Sequence, residues 1–153
     1  MPSEILHNLY LGNKDDSKNP DFMKSIDVTI NLTKDIQFFN KFGNIRIPIN
    51  DPGPNNDEYQ QDNLILFNIS KNICRLIKNH LDLNHKVFVH CRAGIQRSAS
   101  LILIYLIEYH TKGPILLRLK IALNYLIKKR AIVFYQGTEC NFKYAIINYL
   151  HNL

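Results

Sequence analysis

Hydrophobic and polar residues alternate in several short stretches of the chain, and this alternation predicts β-strands. The predicted strands are centred on Leu9 to Leu11, Val28 to Leu32, Ile45 to Ile49 and Lys86 to His90. The last of these differs from the others because Val87, Phe88 and Val89 are apolar in succession. Such a run is typical of a central strand that is covered on both faces.

Helical spacing of apolar residues dominates the rest of the chain. Helices are predicted from Asn63 to Asn79, Ser98 to His110 and Ile115 to Lys129, and a last one from about Asn141. The helix from Ser98 is apolar on nearly all sides, so we expect it to be buried. The helix from Ile115 ends in the basic turn Lys128-Lys129-Arg130, which we expect to be a solvated helix end.

One long segment follows neither pattern. Residues Asn50 to Asp62 are rich in Pro, Gly and Asn, which predicts an irregular loop, and long loops in compact domains are often functional. Most predicted strands lie in the first part of the chain and most predicted helices in the last part, which indicates a compact α/β or α+β fold. The chain of 153 residues is long enough for one domain with one core, so we expect residues 1–153 to form a single domain.

Composition restricts the class of protein further. Hydrophobic residues make up 46% of the chain, which excludes a disordered protein, and no apolar run approaches the length of a membrane span. The first residues do not resemble a signal peptide, and the three cysteines suit neither a disulfide framework nor a zinc site. We therefore expect a reducing, cytoplasmic setting. The net charge of +6 favours an anionic partner such as phosphorylated protein, RNA or acidic lipid.

Candidate chemistry lies between the apolar strand and the buried helix, in "HCRAGIQRS", residues 90–98. A tight loop between a strand and a helix can aim successive backbone N–H groups, together with the positive end of the helix, at one tetrahedral anion such as phosphate. Gly94 would allow a positive φ or the close approach of a ligand. A phosphate-binding loop is therefore predicted.

Cys91 at the floor of this loop predicts catalysis as well as binding. Amide dipoles and a nearby arginine favour the thiolate form of a cysteine, which can attack phosphorus. Arg97 has the planar fork that binds two phosphate oxygens, and Ser98 places a hydroxyl near the sulfur. His90 is expected to orient the loop by hydrogen bonding. The leaving group needs a proton, and the irregular loop supplies acidic candidates: Asp51, Asp57, Glu58 and Asp62.

The segment "HCRAGIQRS" matches H-C-x-x-G-x-x-R-[ST], the signature of the cysteine-dependent protein tyrosine phosphatase superfamily. The flanking "VFVHCRAG…RSASLILIYL" resembles the dual-specificity branch of that superfamily. Further similarity lies in "ILHNLYLGN", "SIDVTINLT" and "IRIPIND", so that the resemblance covers most of the chain. It implies a protein tyrosine phosphatase-like fold with a central mixed sheet flanked by helices, in a small atypical member similar in size to poxvirus-type enzymes.

The resemblance implies roles for particular residues. Cys91 is the nucleophile, Arg97 the phosphate-binding arginine, Asp51 the general acid, and Ser98 the hydroxyl that assists breakdown of a cysteinyl-phosphate intermediate. The phosphate-binding loop comprises Arg92, Ala93, Gly94, Ile95, Gln96 and Arg97. No metal or other cofactor is implied. The expected substrate is a phosphorylated protein carrying phosphotyrosine, phosphoserine or phosphothreonine.

Several alternatives stay open from the sequence. The stretch between Asp51 and Cys91 is longer than the branch usually has, so Asp57 or Asp62 could be the acid instead. "KKRAIVFYQG" stands where the family often has a Pro-Asn pair, so the packing beside the loop is expected to differ. An RNA 5′ end as substrate and a non-hydrolytic phosphate-binding adaptor are the competing functions. The other two cysteines, Cys74 and Cys140, are expected to be core residues.

Overall fold

The computed structural model of the protein describes residues 1–51 and 57–153, so residues 52–56 of the predicted loop lie outside the described residues. The strands are β1 (Ser3–Leu6), β2 (Leu9–Gly12), β3 (Val28–Asn31), β4 (Asn44–Arg46) and β5 (Val87–His90). The helices are α1 (Pro20–Met23), α2 (Tyr59–Asp82), α3 (Arg97–His110), α4 (Ile115–Lys129), α5 (Phe134–Gly137) and α6 (Lys143–His151).

The strands form one mixed sheet in the order β1-β2-β5-β3-β4. Strands β1 and β2 are antiparallel, and β5 lies in the centre, where Val89 is paired with Leu11 on one side and Ile30 on the other. The four neighbouring strands from β2 to β4 run parallel, and their carboxyl ends meet at one edge. In sheets of this kind ligands bind outside that edge.

Both faces of the sheet are covered, which confirms the prediction for the apolar strand. Val87 and Val89 belong to the main core, to which α2, α3, α4 and α6 also contribute. Phe88 points to the opposite face, since side chains alternate along a strand, and it packs there with Met23 and Ile26. Helix α3 is buried from Ser98 to Ile107, as its pattern predicted. Among the described residues no helix is both long and apolar enough to cross a membrane.

The predicted mixed-sheet α/β fold is confirmed, but the bounds of three elements differ from those predicted. The third strand ends at Arg46, because Pro48 has no amide hydrogen to extend the ladder beyond Ile47. Helix α2 begins at Tyr59, so that residues Tyr59 to Asp62 of the predicted irregular loop are helical. The last helix begins at Lys143, two residues later than predicted.

Short elements were missed altogether. They are β1, α1 and the single turn α5, and of these β1 forms the edge of the sheet beside β2. Phe134, Tyr135 and Gln136 in α5 all have positive φ, between 49° and 64°, so this turn is left-handed. Left-handed backbone is unfavourable for residues other than glycine, and no local sequence pattern predicts it.

Candidate active site

The candidate site lies at the carboxyl edge of the sheet, where β5 ends at His90 and α3 begins at Arg97. The seven residues from Cys91 to Arg97, which we call the Cys91 loop, connect the two. The central strand thus delivers the cysteine to the edge, and the buried helix starts directly behind it. Both elements form where the sequence predicted them.

Donors outside the Cys91 loop hold its carbonyl groups. The carbonyl of Arg92 accepts from Lys14 N–H at 3.0 Å, that of Gly94 from Arg130 Nε at 3.0 Å, and that of Ile95 from Phe134 N–H at 3.0 Å. A trans peptide is planar, so a carbonyl that points outward directs the N–H of the next residue the opposite way. The N–H groups of Ala93, Ile95 and Gln96 therefore face the interior of the loop, which is the arrangement that binds an oxyanion.

The sulfur of Cys91 has polar neighbours although the residue is only 2% exposed. Gly94 N–H donates to Sγ over 3.3 Å, and the Ser98 hydroxyl lies 3.1 Å from Sγ. In the contact between Sγ and the Ser98 hydroxyl either atom can be the donor. The predicted nucleophile and the predicted assisting hydroxyl are thus brought into contact.

Gly94 is required by the geometry of the loop. Its φ is +69°, and a Cβ at this position would lie 2.6 Å from the Gly12 carbonyl oxygen and 2.7 Å from Arg130 Nη2. Neither neighbour can move easily, because one is backbone and the other is a buried guanidinium. No residue with a side chain fits here.

Arg97 is the first residue of α3, and its side chain extends toward Ile49, two residues before Asp51. Its Nη1 donates to the carbonyl of Ile49 at 3.1 Å, which fixes the guanidinium. Its Nε is buried and has no hydrogen-bond partner in the described part of the chain. A buried donor without a partner is costly, and an anion in the loop would satisfy it.

His90 lies behind the loop and is 1% exposed. Its Nδ1 lies 3.2 Å from the carbonyl oxygen of Cys91, and its ring stacks on Phe88 at a centroid distance of 5.2 Å. Burial lowers the pKa of His90 to about 4. The imidazole is therefore neutral at pH 7, and its position against the Cys91 carbonyl suits the predicted orienting role.

Arg130 corrects the prediction of a solvated basic turn. Lys128 and Lys129 are exposed, but Arg130 is buried, with 7% of its surface accessible. Besides the Gly94 carbonyl, it donates to main-chain or side-chain oxygens of the first two strands and the N-terminus: Met1 O, Ser3 Oγ and Leu11 O. Burial lowers the pKa of Arg130. A basic turn on its own gives no sign that one of its members faces inward.

The side chain of Asp51 connects to the Cys91 loop through two amides. Asn141 Nδ2 donates to Asp51 Oδ1 at 2.8 Å, and Asn141 N–H donates to Gln96 Oε1 at 2.9 Å. Gln96 is buried, and its Nε2 donates to the carbonyl of Glu139 at 2.7 Å. The exposed carboxylate of Asp51 is therefore held at a fixed place relative to the loop. Sequence reasoning missed Asn141, since it lies 90 residues from Asp51.

The competing acids have different surroundings. Asp57 is exposed and precedes α2. Asp62 lies in the first turns of α2 and is 3% exposed, with Oδ2 buried and unpartnered among the described residues. Asp51 alone of the three is linked to the Cys91 loop by the contacts that the structure describes.

Three further predicted residues, Arg92, Cys74 and Cys140, differ in their burial. Arg92 is exposed and forms an ion pair with Asp35 at 2.9 Å. Cys74 is buried, and burial raises the pKa of its thiol, as suits a core residue. Cys140 is only partly buried, so the prediction of a core position holds in part.

Comparisons with known proteins agree with this geometry. The family described as "Dual specificity phosphatase, catalytic domain" matches residues 9–149. The putative tyrosine phosphatase 123R of Invertebrate iridescent virus 6 is 32% identical over 135 residues, which cover 87% of this chain and 82% of the viral protein. The chain spans 27% of human dual specificity protein phosphatase 9 and 33% of Xenopus laevis dual specificity protein phosphatase 1-A.

Solved structures show the same fold. Human DUSP28 aligns with a TM-score of 0.77 at 15% identity and covers 99% of this chain and 93% of the other. OH1 from the Orf virus aligns with a TM-score of 0.70 at 16% identity, over 97% of this chain and 83% of the other. At such low identity these two likenesses concern the fold alone.

Proposed function

The chain belongs to the dual specificity phosphatase family and is a cysteine-dependent protein phosphatase, and we propose that it works through a cysteinyl-phosphate on Cys91. The observation that carries the proposal is the environment of Sγ, which has the Gly94 N–H and the Ser98 hydroxyl in contact inside a loop of inward-facing amides. The proposed reaction uses the thiolate form of Cys91 as its nucleophile.

In the first proposed step, the Cys91 thiolate attacks phosphorus and the bond from phosphorus to the substrate oxygen breaks. The loop amides and the Arg97 fork stabilise the charge on the three remaining phosphate oxygens. Asp51 gives its proton to the departing oxygen, so a neutral alcohol or phenol leaves. Support for Asp51 comes from its link to the loop through Asn141 and Gln96.

In the second step, a water molecule attacks the phosphorus of the cysteinyl-phosphate, and the bond from sulfur to phosphorus breaks. Asp51, now ionised, takes a proton from that water, and inorganic phosphate leaves. The sulfur departs as a thiolate, which the Ser98 hydroxyl at 3.1 Å stabilises by donating a hydrogen bond. One residue thus serves as acid and then as base.

We propose phosphotyrosine, phosphoserine and phosphothreonine in proteins as substrates, with residues 1–153 acting as one catalytic domain in a reducing, cytoplasmic setting. A reducing setting is required because oxidised Cys91 could not attack phosphorus. Membership of the dual specificity family supports the substrate range and does not favour an RNA 5′ end or a non-hydrolytic adaptor.

The test is hydrolysis of an aryl phosphate and of phosphotyrosine and phosphothreonine peptides by the purified protein in the presence of a metal chelator. Cys91→Ser should abolish turnover while phosphopeptide binding, measured by calorimetry, persists. Cys140→Ser is the matched control, because it makes the same change at a partly buried thiol outside the proposed mechanism.

Full turnover by the Cys91→Ser protein would refute the nucleophile. Binding of phosphopeptide without turnover of any phosphoester by the unmodified protein would instead support the adaptor. Faster release of phosphate from triphosphorylated RNA than from phosphopeptide would identify RNA as the preferred substrate.

A further inference from the structure

The net charge of the protein is concentrated in one segment. Residues 109–138 contain six of the 19 basic residues and none of the 13 acidic ones, so that 13 of each remain elsewhere and cancel. The six are Lys112, Arg118, Lys120, Lys128, Lys129 and Arg130. Arg130 is buried and donates to the Gly94 carbonyl of the Cys91 loop, but the other five lie on or near the outer surface of α4.

Helix α4 also exposes large apolar side chains. Only Ala122 and Leu126 of this helix are fully buried. Leu116 is 77% exposed, Leu117 48% and Ile121 45%, all in the first two turns. Exposed lysines stand between them and beside them. We call this surface the α4 basic face and define it by Lys112, Leu116, Leu117, Lys120 and Ile121.

Two acidic side chains lie on elements that pack against α4, and each accepts a hydrogen bond from another residue. Helix α4 packs against β1 and α3, which carry Glu4 and Glu108 respectively. Glu4 accepts the N–H of Asn8, and Glu108 accepts the hydroxyl of Tyr149. Neither hydrogen bond removes the charge of its carboxylate, but the ion pairs found among the described residues include no side chain of the α4 basic face.

The face is remote from the candidate active site. Helix α3 leads from Arg97 at the Cys91 loop to His110, and 14 residues of α-helix extend about 21 Å. Lys112 and the start of α4 follow directly after its far end. A partner bound to the first turns of α4 would leave the mouth of the Cys91 loop open.

We propose that the α4 basic face binds the surface of an anionic phospholipid membrane. Lysines interleaved with exposed leucine and isoleucine suit such a surface, because anionic headgroups attract the cations while the apolar side chains enter the acyl boundary. A surface for RNA carries aromatic side chains for base stacking. The exposed apolar residues of this face are aliphatic instead.

The experiment is cosedimentation with vesicles of phosphatidylcholine containing roughly one third phosphatidylserine, compared with pure phosphatidylcholine. The probe protein is the full chain, both unmodified and as Cys91→Ser, so that binding is measured independently of turnover. Each lysine near an anionic bilayer contributes about fivefold to binding. Leu116→Ser/Lys120→Glu should therefore lower the partition coefficient about tenfold or more.

The matched control is Leu83→Ser/Lys71→Glu, which makes the same two changes at exposed residues of α2 and its C-terminal end. It should bind anionic vesicles within about twofold of the unmodified protein. Circular dichroism spectra of the two double variants should match that of the unmodified protein, since neither double variant changes a buried residue.

Failure of the unmodified protein to bind anionic vesicles would overturn the proposal, as would equal binding to neutral vesicles or an equal loss in the control. RNA binding that Lys120→Glu abolishes and Leu116→Ser leaves intact, without vesicle binding, would assign the face to nucleic acid instead. Vesicle binding by a protein without phosphatase activity would uphold this inference while refuting the proposed function.

Discussion

Replacing Asn141 by alanine should weaken the proposed general acid without unfolding the protein. The side chain of Asn141 makes the 2.8 Å hydrogen bond to Asp51, whereas its main-chain groups bond to Gln96 and Asn63. Alanine keeps the main-chain bonds and removes only the restraint on the carboxylate. It also removes Asn141 Oδ1, which is buried without a partner among the described residues.

The size of the effect follows from the hydrogen bond that is lost. A bond to a charged group contributes about 1.5–3 kcal/mol in a buried setting, and exposure of Asp51 reduces this to about 1 kcal/mol. Since about 1.4 kcal/mol corresponds to a factor of ten, we expect the rate to fall about fivefold where proton donation limits it. The free energy of unfolding should change by less than about 1 kcal/mol.

The assay compares two substrates whose leaving groups differ in basicity. The threonine alkoxide needs the proton of Asp51 more than an activated phenoxide does, because an alkyl alcohol is far less acidic. Asn141→Ala should lower kcat on a phosphothreonine peptide about fivefold and kcat on an activated aryl phosphate by less than about twofold. Asn148→Ala is the control, since Asn148 also donates to an oxygen at 2.8 Å but lies on α6 away from Asp51.

Two results would refute this reasoning. Equal losses on both substrates would mean that Asn141 acts on the Cys91 loop through Gln96 and not on the acid. A further loss when Asn141→Ala is added to Asp51→Asn would show that the two side chains act independently. If Asp51→Asn itself has small and equal effects on both substrates, the acid is Asp57 or Asp62.

Three further changes probe the supports of the loop. Gly94→Ala should destabilise the fold by at least about 2 kcal/mol more than Gly113→Ala in urea unfolding, because both glycines have positive φ but a Cβ on Gly113 meets nothing within 4 Å. Arg130→Met should lower the free energy of unfolding by about 2 kcal/mol and remove most of the activity, because the Gly94 carbonyl loses its buried donor. Lys129→Met, which changes the exposed neighbour, should be nearly neutral in both measurements. Equal effects of the two substitutions would contradict the role of Arg130 as a buried donor. Burial lowers the pKa of His90 to about 4, so the unfolded chain takes up a proton between about pH 6.5 and pH 4 that the folded protein does not. Stability should therefore fall by about 2 kcal/mol from pH 7 to pH 5, and His90→Gln should remove most of that loss.

The Cys91 loop and its flanking elements could be predicted because their parts are contiguous. Strand, cysteine, glycine, arginine and buried helix occupy residues 87–110, and each has a local signal in composition or periodicity. The long helices α2, α3 and α4 were predictable for the same reason. The ends of the elements were less so, since the start of α2 at Tyr59 carries polar residues that suit a loop equally well.

The supports of the loop could not be predicted, because they depend on contacts between distant residues. Arg130 contacts Gly94 across 36 positions, and Asn141 contacts Gln96 across 45. A basic helix end is usually solvated, so the burial of one arginine follows only from how α4 returns to the sheet. The left-handed turn of α5 follows from tertiary contacts too, since Phe134 must present its N–H to the Ile95 carbonyl.

The inward direction of the loop amides therefore depends on the whole fold and not on the nine-residue motif at 90–98 alone. Lys14, Arg130 and Phe134 come from three separate segments, and each holds one carbonyl outward. Two of these donors are backbone amides, which remain when a side chain is truncated, so Arg130 is the one of the three whose donor a side-chain truncation deletes. Arg130 also follows the last turn of α4, whose opposite end carries the basic face. The side chains of that face lie outside these hydrogen bonds, so vesicle binding should leave the turnover of a small aryl phosphate unchanged.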